Sequence, residues 1–181
     1  MNKPYIISGT ISPSEIKRIR LEMHMTQKNF AELLNLSVKS VERWEAADKP
    51  LTGAPAALIR VLASDPGLAE RFRIPEKQFP LRMYYKYYDE ICTLIDVDII
   101  RQQVRIKNYT SNFLFCAFGS NESPDYQDYL EFLESRCFPR ERDKMKLILK
   151  ELDLPFYDPM MIIEKTGGRM AEDNFSIEIV R

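Results

Sequence analysis

The stretch "LSVKSVERWEAADKP", Leu36 to Pro50, carries the only Trp of the chain, and its reading decides the N-terminal fold. Placed on a helix, Val38, Val41 and Trp44 fall on one stripe at three-residue spacing, while Lys39, Glu42 and Arg43 fall on another. The apolar stripe is expected to pack against Phe30 and Leu34 of the preceding helix, which turns the polar stripe outward. Two readings fit that outward face. Any small helical bundle carries Lys and Arg on solvated faces. A helix that enters the major groove of DNA also needs such a face. There Arg binds guanine O6 and N7 bidentately, Lys donates to the same edge, and Glu accepts from cytosine N4.

Start and stop signals extend the helical pattern on both sides. Ser12 to Glu15 reads as a capping box with Pro13 at the first helical position, and Ile16, Ile19, Leu21 and Met23 supply apolar positions. Thr26 caps a second helix whose apolar residues are Phe30, Ala31, Leu33 and Leu34. Asn35-Leu36 makes the turn, and Ser37 caps the helix that carries the opening stretch. Pro50 and Gly53 interrupt the chain, Pro55 opens a fourth helix with Leu58, Ile59 and Leu62 inside, and Asp65-Pro66 starts a short one ending near Phe72. Gln27, at the start of the second helix, is placed to donate to a phosphate, helped by the positive end of that helix. The DNA-facing set is therefore Gln27, Lys28, Ser37, Lys39, Ser40, Glu42 and Arg43.

The run "MTQKNFAELLNLSVKSVERWEAADKPLTGAPAALIRVLASDP" resembles the helix-turn-helix of Cro/repressor-type (XRE) regulators, and more specifically that of MqsA-like and HigA-like antitoxins. Thr26-Gln27, Phe30-Ala31, Leu36-Ser37-Val38, Val41 through Glu45, Pro50 and Gly53-Ala54-Pro55-Ala56 before "LIRVL" carry the resemblance. It implies that Lys39 and Arg43 enter the major groove and that Gln27 meets a phosphate. "AADKP" stands where the family has a glycine-containing turn, and the zinc-binding segment that MqsA carries has no counterpart here. Such modules bind as dimers, because two reading helices about 34 Å apart match successive major grooves. A homodimer is expected, with "MNKPYIISG" or the C-terminal domain as the interface.

Composition narrows the classes. Of 181 residues, 45% are hydrophobic, 29% charged and 11% aromatic, which suits a globular chain rather than a disordered one. No apolar run approaches the length of about 18 residues that spans a membrane. The start "MNKPYIISGTISPSE" lacks the apolar core of a signal peptide. Cys92, Cys116 and Cys137 form no C-x-x-C pair and read as reduced thiols, so a cytoplasmic protein is expected. Residues 1–75 hold 11 Lys and Arg against 8 Asp and Glu; residues 76–181 hold 15 against 19. A mildly basic part joined to an acidic one is compatible with a nucleic-acid module that carries a second function.

The second part changes character after "RIPEKQFPLR", where two prolines in extended context mark a linker. The expected fold class is α+β: an all-α helix-turn-helix domain at 1–74, a linker at 75–82 and a small mixed α+β domain at 83–181. Strands are predicted at Tyr88–Asp98 and Val104–Tyr109, with a turn near Arg101–Gln103. Helices are predicted from Ser123-Pro124 to Ser135, from Pro139 to Leu152 (burying Met145, Ile148, Leu149 and Leu152), and from Asp158-Pro159 to Gly167-Gly168. "NFSIEIV" closes as a strand. "FLESRCFPRERDKMKLILKELDL" and "YDPMMIIEKTGGRMAEDNFSIEI" faintly resemble the N-terminal subdomain of HipA-family toxin kinases, through Arg136, Pro139 and Arg142 and the strand "EDNFSI". That resemblance implies a partner surface holding a separately encoded toxin.

"RMYYKYYDE" sets four tyrosines around one Lys, which reads either as a surface that stacks on bases or binds protein, or as tyrosines covering a sheet. The candidate partner-binding residues are Tyr84, Tyr85, Tyr87, Arg136 and Arg142. Catalytic readings find less support. "EKTGGRM" lacks phosphate-loop spacing and reads as a helix stop; His24 has no second His; Asp96 and Asp98 read as a solvated strand end; and Cys137 has no partner His. No catalytic residue, metal site or cofactor is expected. The chain reads as an antitoxin-type repressor of its own operon, binding double-stranded DNA through residues 12–72 and a cognate toxin or effector through residues 80–181. Two alternatives stay open: a ligand-sensing repressor, and a DNA-targeted nucleotide- or protein-modifying enzyme.

Overall fold

The computed structural model describes residues 6–65 and 67–180. The chain divides into two compact units, Met1–Ile74 and Pro75–Arg181, and the fold is mixed α+β. Of the dimer candidates, residues 1–5 of "MNKPYIISG" lie outside the described residues, as does Pro66 of the fifth helix start.

In the first unit, three helices begin where local caps stand. α1 (Pro13–Glu22) has the capping box of Ser12 and Glu15, in which the Ser12 N–H donates to Glu15 Oε2 at 3.1 Å. α2 (Gln27–Leu33) is capped by Thr26, whose hydroxyl accepts from the Asn29 N–H at 3.1 Å. α3 (Val38–Glu45) is capped by Ser37, which accepts from the Ser40 N–H at 3.3 Å. Each such cap contributes about 1 kcal/mol. α4 (Ala54–Ser64) follows Gly53, whose φ of 83° is open to glycine and costly for other residues, and α5 (Gly67–Phe72) follows it.

The unit is not purely α-helical. β1 (Thr10–Ile11) pairs antiparallel with β2 (Leu51–Thr52), tying the entry of α1 to the exit of α3. Ile11, Ile16, Ile19, Phe30, Ala31, Val41, Ala56 and Ile59 are buried together. Burying one such large side chain contributes about 1.5–3 kcal/mol. Three expected core positions lie outside instead: Leu21, Leu58 and Val38 are 54%, 46% and 36% exposed. At 100° per residue Leu58 sits off the stripe of Ala56, Ile59 and Leu62, and Val38 lies in the open first turn of α3.

The second unit is a four-stranded antiparallel sheet of β3 (Leu81–Tyr87), β4 (Glu90–Asp98), β5 (Gln103–Asn108) and β6 (Phe175–Val180), in the order β5-β4-β3-β6. α6 (Tyr126–Ser135), α7 (Met145–Glu151) and α8 (Pro159–Thr166) connect β5 to β6. Met83, Tyr85, Ile95, Val97 and Ile177 of the sheet bury with Tyr129, Phe132, Leu133, Ile162 and Ile163 of the helices.

Several elements differ from the sequence expectation. The tyrosine run is the strand β3, which pairs with β4 on one side and β6 on the other; Tyr88-Asp89 form its turn, so β4 starts at Glu90. Residues 75–82 are no free linker. The Gln78 N–H donates to Asp96 at 3.1 Å, the Arg82 guanidinium donates to the Pro75 and Glu76 carbonyls, and β3 begins at Leu81. α6 starts later than expected because Asp125 and Asp128 form the capping box. α7 is half its expected length: the Arg142 N–H closes a turn on the Pro139 carbonyl, and Lys144 takes a left-handed φ of 61°. Its Met145, Ile148, Leu149 and Leu152 are only half-buried. Among the described residues no helix is long and apolar enough to cross a membrane.

Candidate functional site

The α2–turn–α3 segment places the expected DNA-facing set. Asn35 takes the left-handed turn position, with φ of 55°, and the Leu36 N–H donates to the Ala31 carbonyl at 2.8 Å. On α3, Val41 is fully buried and Trp44 packs on the core from its edge, which points Lys39, Glu42 and Arg43 to solvent. Among the described residues none of these three side chains has a hydrogen-bond or ion-pair partner. Their charges are available. Lys28 is also exposed and lies 3.9 Å from Glu32, a surface pair of little energetic weight. The Ser37 and Ser40 hydroxyls sit 3.0 Å apart at the helix start, engaged with each other and with the cap.

Gln27 is placed differently from its expected role. Its side-chain amide donates to Glu45 Oε2 at 2.9 Å, so it braces the protein interior rather than reaching outward. The same carboxylate receives Arg20 Nε at 2.6 Å and Arg20 Nη2 at 3.0 Å, while Arg20 Nη1 donates to the Met25 carbonyl at 2.9 Å. One buried ion pair thereby joins the C-terminal end of α1, the start of α2 and the end of α3. Burial alone would raise the Glu45 carboxyl, but hydrogen bonds from Arg20 and Gln27 and the charge of Arg20 outweigh it and hold the group below its ordinary value. The clamp fixes the orientation of α3 at its C-terminal end, as Val41 does at its middle.

In the second unit, the candidate partner residues separate. Tyr85 is buried, stacked on Phe175 with centroids 4.8 Å apart and edge-on to Phe132 at 5.2 Å. Burial pushes its hydroxyl up to about 12. Tyr87 packs edge-on against Phe115 at 4.7 Å. Tyr84 points to the opposite face of the sheet and is half-buried, and Arg142 is exposed in the loop before α7. Arg136 is interior: Nε donates to the Gly168 carbonyl at 3.0 Å, and its two terminal nitrogens reach Asp173 at 2.6 and 3.0 Å. Tyr85 and Arg136 are therefore corrected from surface to scaffold, because the aromatic floor and Asp173 satisfy them within the fold.

The groups considered for chemistry are also committed to structure. Asp96 is buried and bidentate to Arg82, at 2.6 and 2.7 Å. Asp98 caps the β4–β5 turn by accepting from the Ile100 and Arg101 N–H groups. Neither is a solvated strand end. Burial pushes the Cys137 thiol up to about 12, the reverse of an activated nucleophile. Gly167 and Gly168 stop α8 with φ of 66° and 60°, and a Cβ on Gly168 would lie 3.0 Å from Ile177 Cδ1. His24 is exposed with a φ of 54°, and among the described residues no three His, Cys, Asp or Glu side chains converge for a metal.

No family model and no curated protein matches this chain. Its own geometry carries the reading. Hidden from sequence reasoning are the interior pairs Arg20–Glu45 and Arg82–Asp96 and the half-buried pair Arg136–Asp173, whose members lie 25, 14 and 37 residues apart. No local spacing rule reaches so far.

Arg136 and its neighbours also close the first half of one margin of the sheet. On the outer side of β6, the Phe175 N–H donates to Asp173 at 3.0 Å, the Phe175 carbonyl accepts from Arg136 at 3.4 Å, and the Ile177 N–H donates to the Gly167 carbonyl at 2.7 Å.

Proposed function

We propose that this chain is a dimeric, sequence-specific DNA-binding regulator of antitoxin type. In this reading α2, the turn and α3 form a helix-turn-helix. Lys39 and Arg43 meet guanine edges in the major groove, Glu42 reads cytosine, and Lys28 meets a phosphate. The observation that carries it is the outward face of α3: three charged side chains with no side-chain partner among the described residues, on a helix clamped by Val41 and by the Arg20–Glu45–Gln27 cluster. Base readout requires side chains held in register, and this helix holds them so. Residues 75–181 serve as the unit that engages a cognate toxin or effector. Partner binding then alters occupancy of the promoter.

The test is retention of DNA from upstream of the chain's own gene, measured by anisotropy at several salt concentrations. Saturable binding that survives competitor DNA, and that fails in a Lys39→Ala/Arg43→Ala double variant of unchanged melting temperature, supports the reading. Equal binding to every sequence sinks the specific part of it. For the antitoxin part, a neighbouring gene product that arrests growth only when this chain is absent is the expected result, and a harmless product overturns it.

A further inference from the structure

The margin of the sheet opposite β6 is open. The Tyr109 N–H donates to the Cys92 carbonyl at 2.8 Å, in register with the β4–β5 pairing. Alternation then turns the main-chain groups of Gln103, Arg105 and Lys107 toward β4, and those of Val104, Ile106 and Asn108 away from the sheet. Among the described residues no hydrogen bond reaches these outward N–H and C=O groups. The side chains of the strand differ by face. Val104 and Ile106 are half-buried against the core. Arg105, exposed, lies over the Phe79 ring at 5.5 Å and donates to Gln78, and Lys107 lies over the Tyr109 ring at 5.0 Å. β5 carries two cations and no acidic residue, inside an acidic unit.

We propose that the outer edge of β5 binds an extended peptide segment of a partner protein, with acidic residues alternating on the Arg105 side and aliphatic residues on the Val104–Ile106 side. This rests on the reading of residues 75–181 as a partner-binding unit, and names where the partner docks. Main-chain bonds to Val104 and Ile106 supply the pairing, and the alternating side chains select the sequence. A second copy is the wrong occupant. Two-fold antiparallel pairing about Arg105 sets Arg105 against its own counterpart, and pairing about Ile106 sets Arg105 against Lys107. Like charges directly opposite destabilise a strand pair, whereas an acidic strand turns the same positions into favourable pairs.

The probe is the labelled peptide acetyl-Thr-Glu-Val-Glu-Ile-Glu-Thr-amide, titrated with the full chain by fluorescence anisotropy. Saturable binding is expected. Val104→Pro removes an outward N–H and leaves the β4 ladder intact, and should weaken binding about tenfold. Arg105→Glu should lose the acidic peptide and gain the version with Lys in place of Glu, a gain that also shows the variant is folded. No binding of the acidic peptide, equal binding by Val104→Pro, or a homodimer that Val104→Pro dissolves would each overturn the proposal. The partner reading fails separately: titration with the neighbouring gene's product showing no interaction, while the peptide still binds, removes the antitoxin assignment and leaves the edge site standing.

Discussion

Arg43 and Arg136 stand in the two units in opposite circumstances. Arg43 projects from α3 into solvent with no partner among the described residues, while Arg136 is buried and spends its guanidinium on Asp173, Gly168 and Phe175. An arginine in a sequence motif is equally a reader of something outside and a rivet for something inside. Position on the helix decides the first case; a carboxylate 37 residues downstream decides the second.

The sharpest way to break this contrast is to remove each guanidinium. Arg136→Ala should destabilise the second unit by about 3–5 kcal/mol, because it strands a partly buried carboxylate, whereas Arg43→Ala should change stability by less than about 0.5 kcal/mol. Urea midpoints read both, and equal shifts would end the distinction. Acid offers a second handle. Hydrogen bonds from Arg136 hold the Asp173 carboxyl below its ordinary value, despite its burial; for Glu45, burial works upward and the bonds from Arg20 and Gln27 overcome it. Both groups thus contribute stability that is fully present above their unfolded values, 3.8 and 4.5, and is lost as pH falls through the lower folded ones. The urea midpoint should decline below about pH 4.5, less steeply in Glu45→Gln and unchanged in slope in Arg43→Ala.

Arg43 has its own measurement in DNA binding. Arg43→Ala should cost about 1–3 kcal/mol and relax preference at one base position; uniform loss on all sequences would remove base readout by this residue. Gln27→Ala should have the smallest effect, lowering stability by about 1 kcal/mol through the lost bond to Glu45 and leaving DNA affinity as it was. Weaker binding by the same factor on every sequence would return Gln27 to its expected phosphate contact.

Much of the first unit was legible because its signals are local. Ser12, Thr26 and Ser37 each satisfy main-chain donors within three residues, so helix starts follow from short windows. Asp158 and Gly167 bound α8 for the same reason. The reading failed where long-range partners compete with local pattern. "RMYYKYY" gives no clear alternation because β3 has neighbours on both sides: Tyr85 meets the aromatic core while Arg82, on the other face, is pinned by Asp96. The α3 face was visible as a stripe from the start. That Gln27 belongs to the clamp beneath it was not, since Glu45 lies a further 18 residues along.

The closed margin at β6 bears on stoichiometry. Sheets that grow without limit need two free margins, so that the trailing edge of one subunit receives the leading edge of the next. Along the first half of β6 the outward N–H and C=O of Phe175 and the outward N–H of Ile177 are already engaged by Asp173, Arg136 and Gly167. The β5 edge of one copy therefore meets only a partly open β6 margin on the next. On the proposed docking at β5, that blunted half of β6 disfavours head-to-tail growth of the sheet from copy to copy.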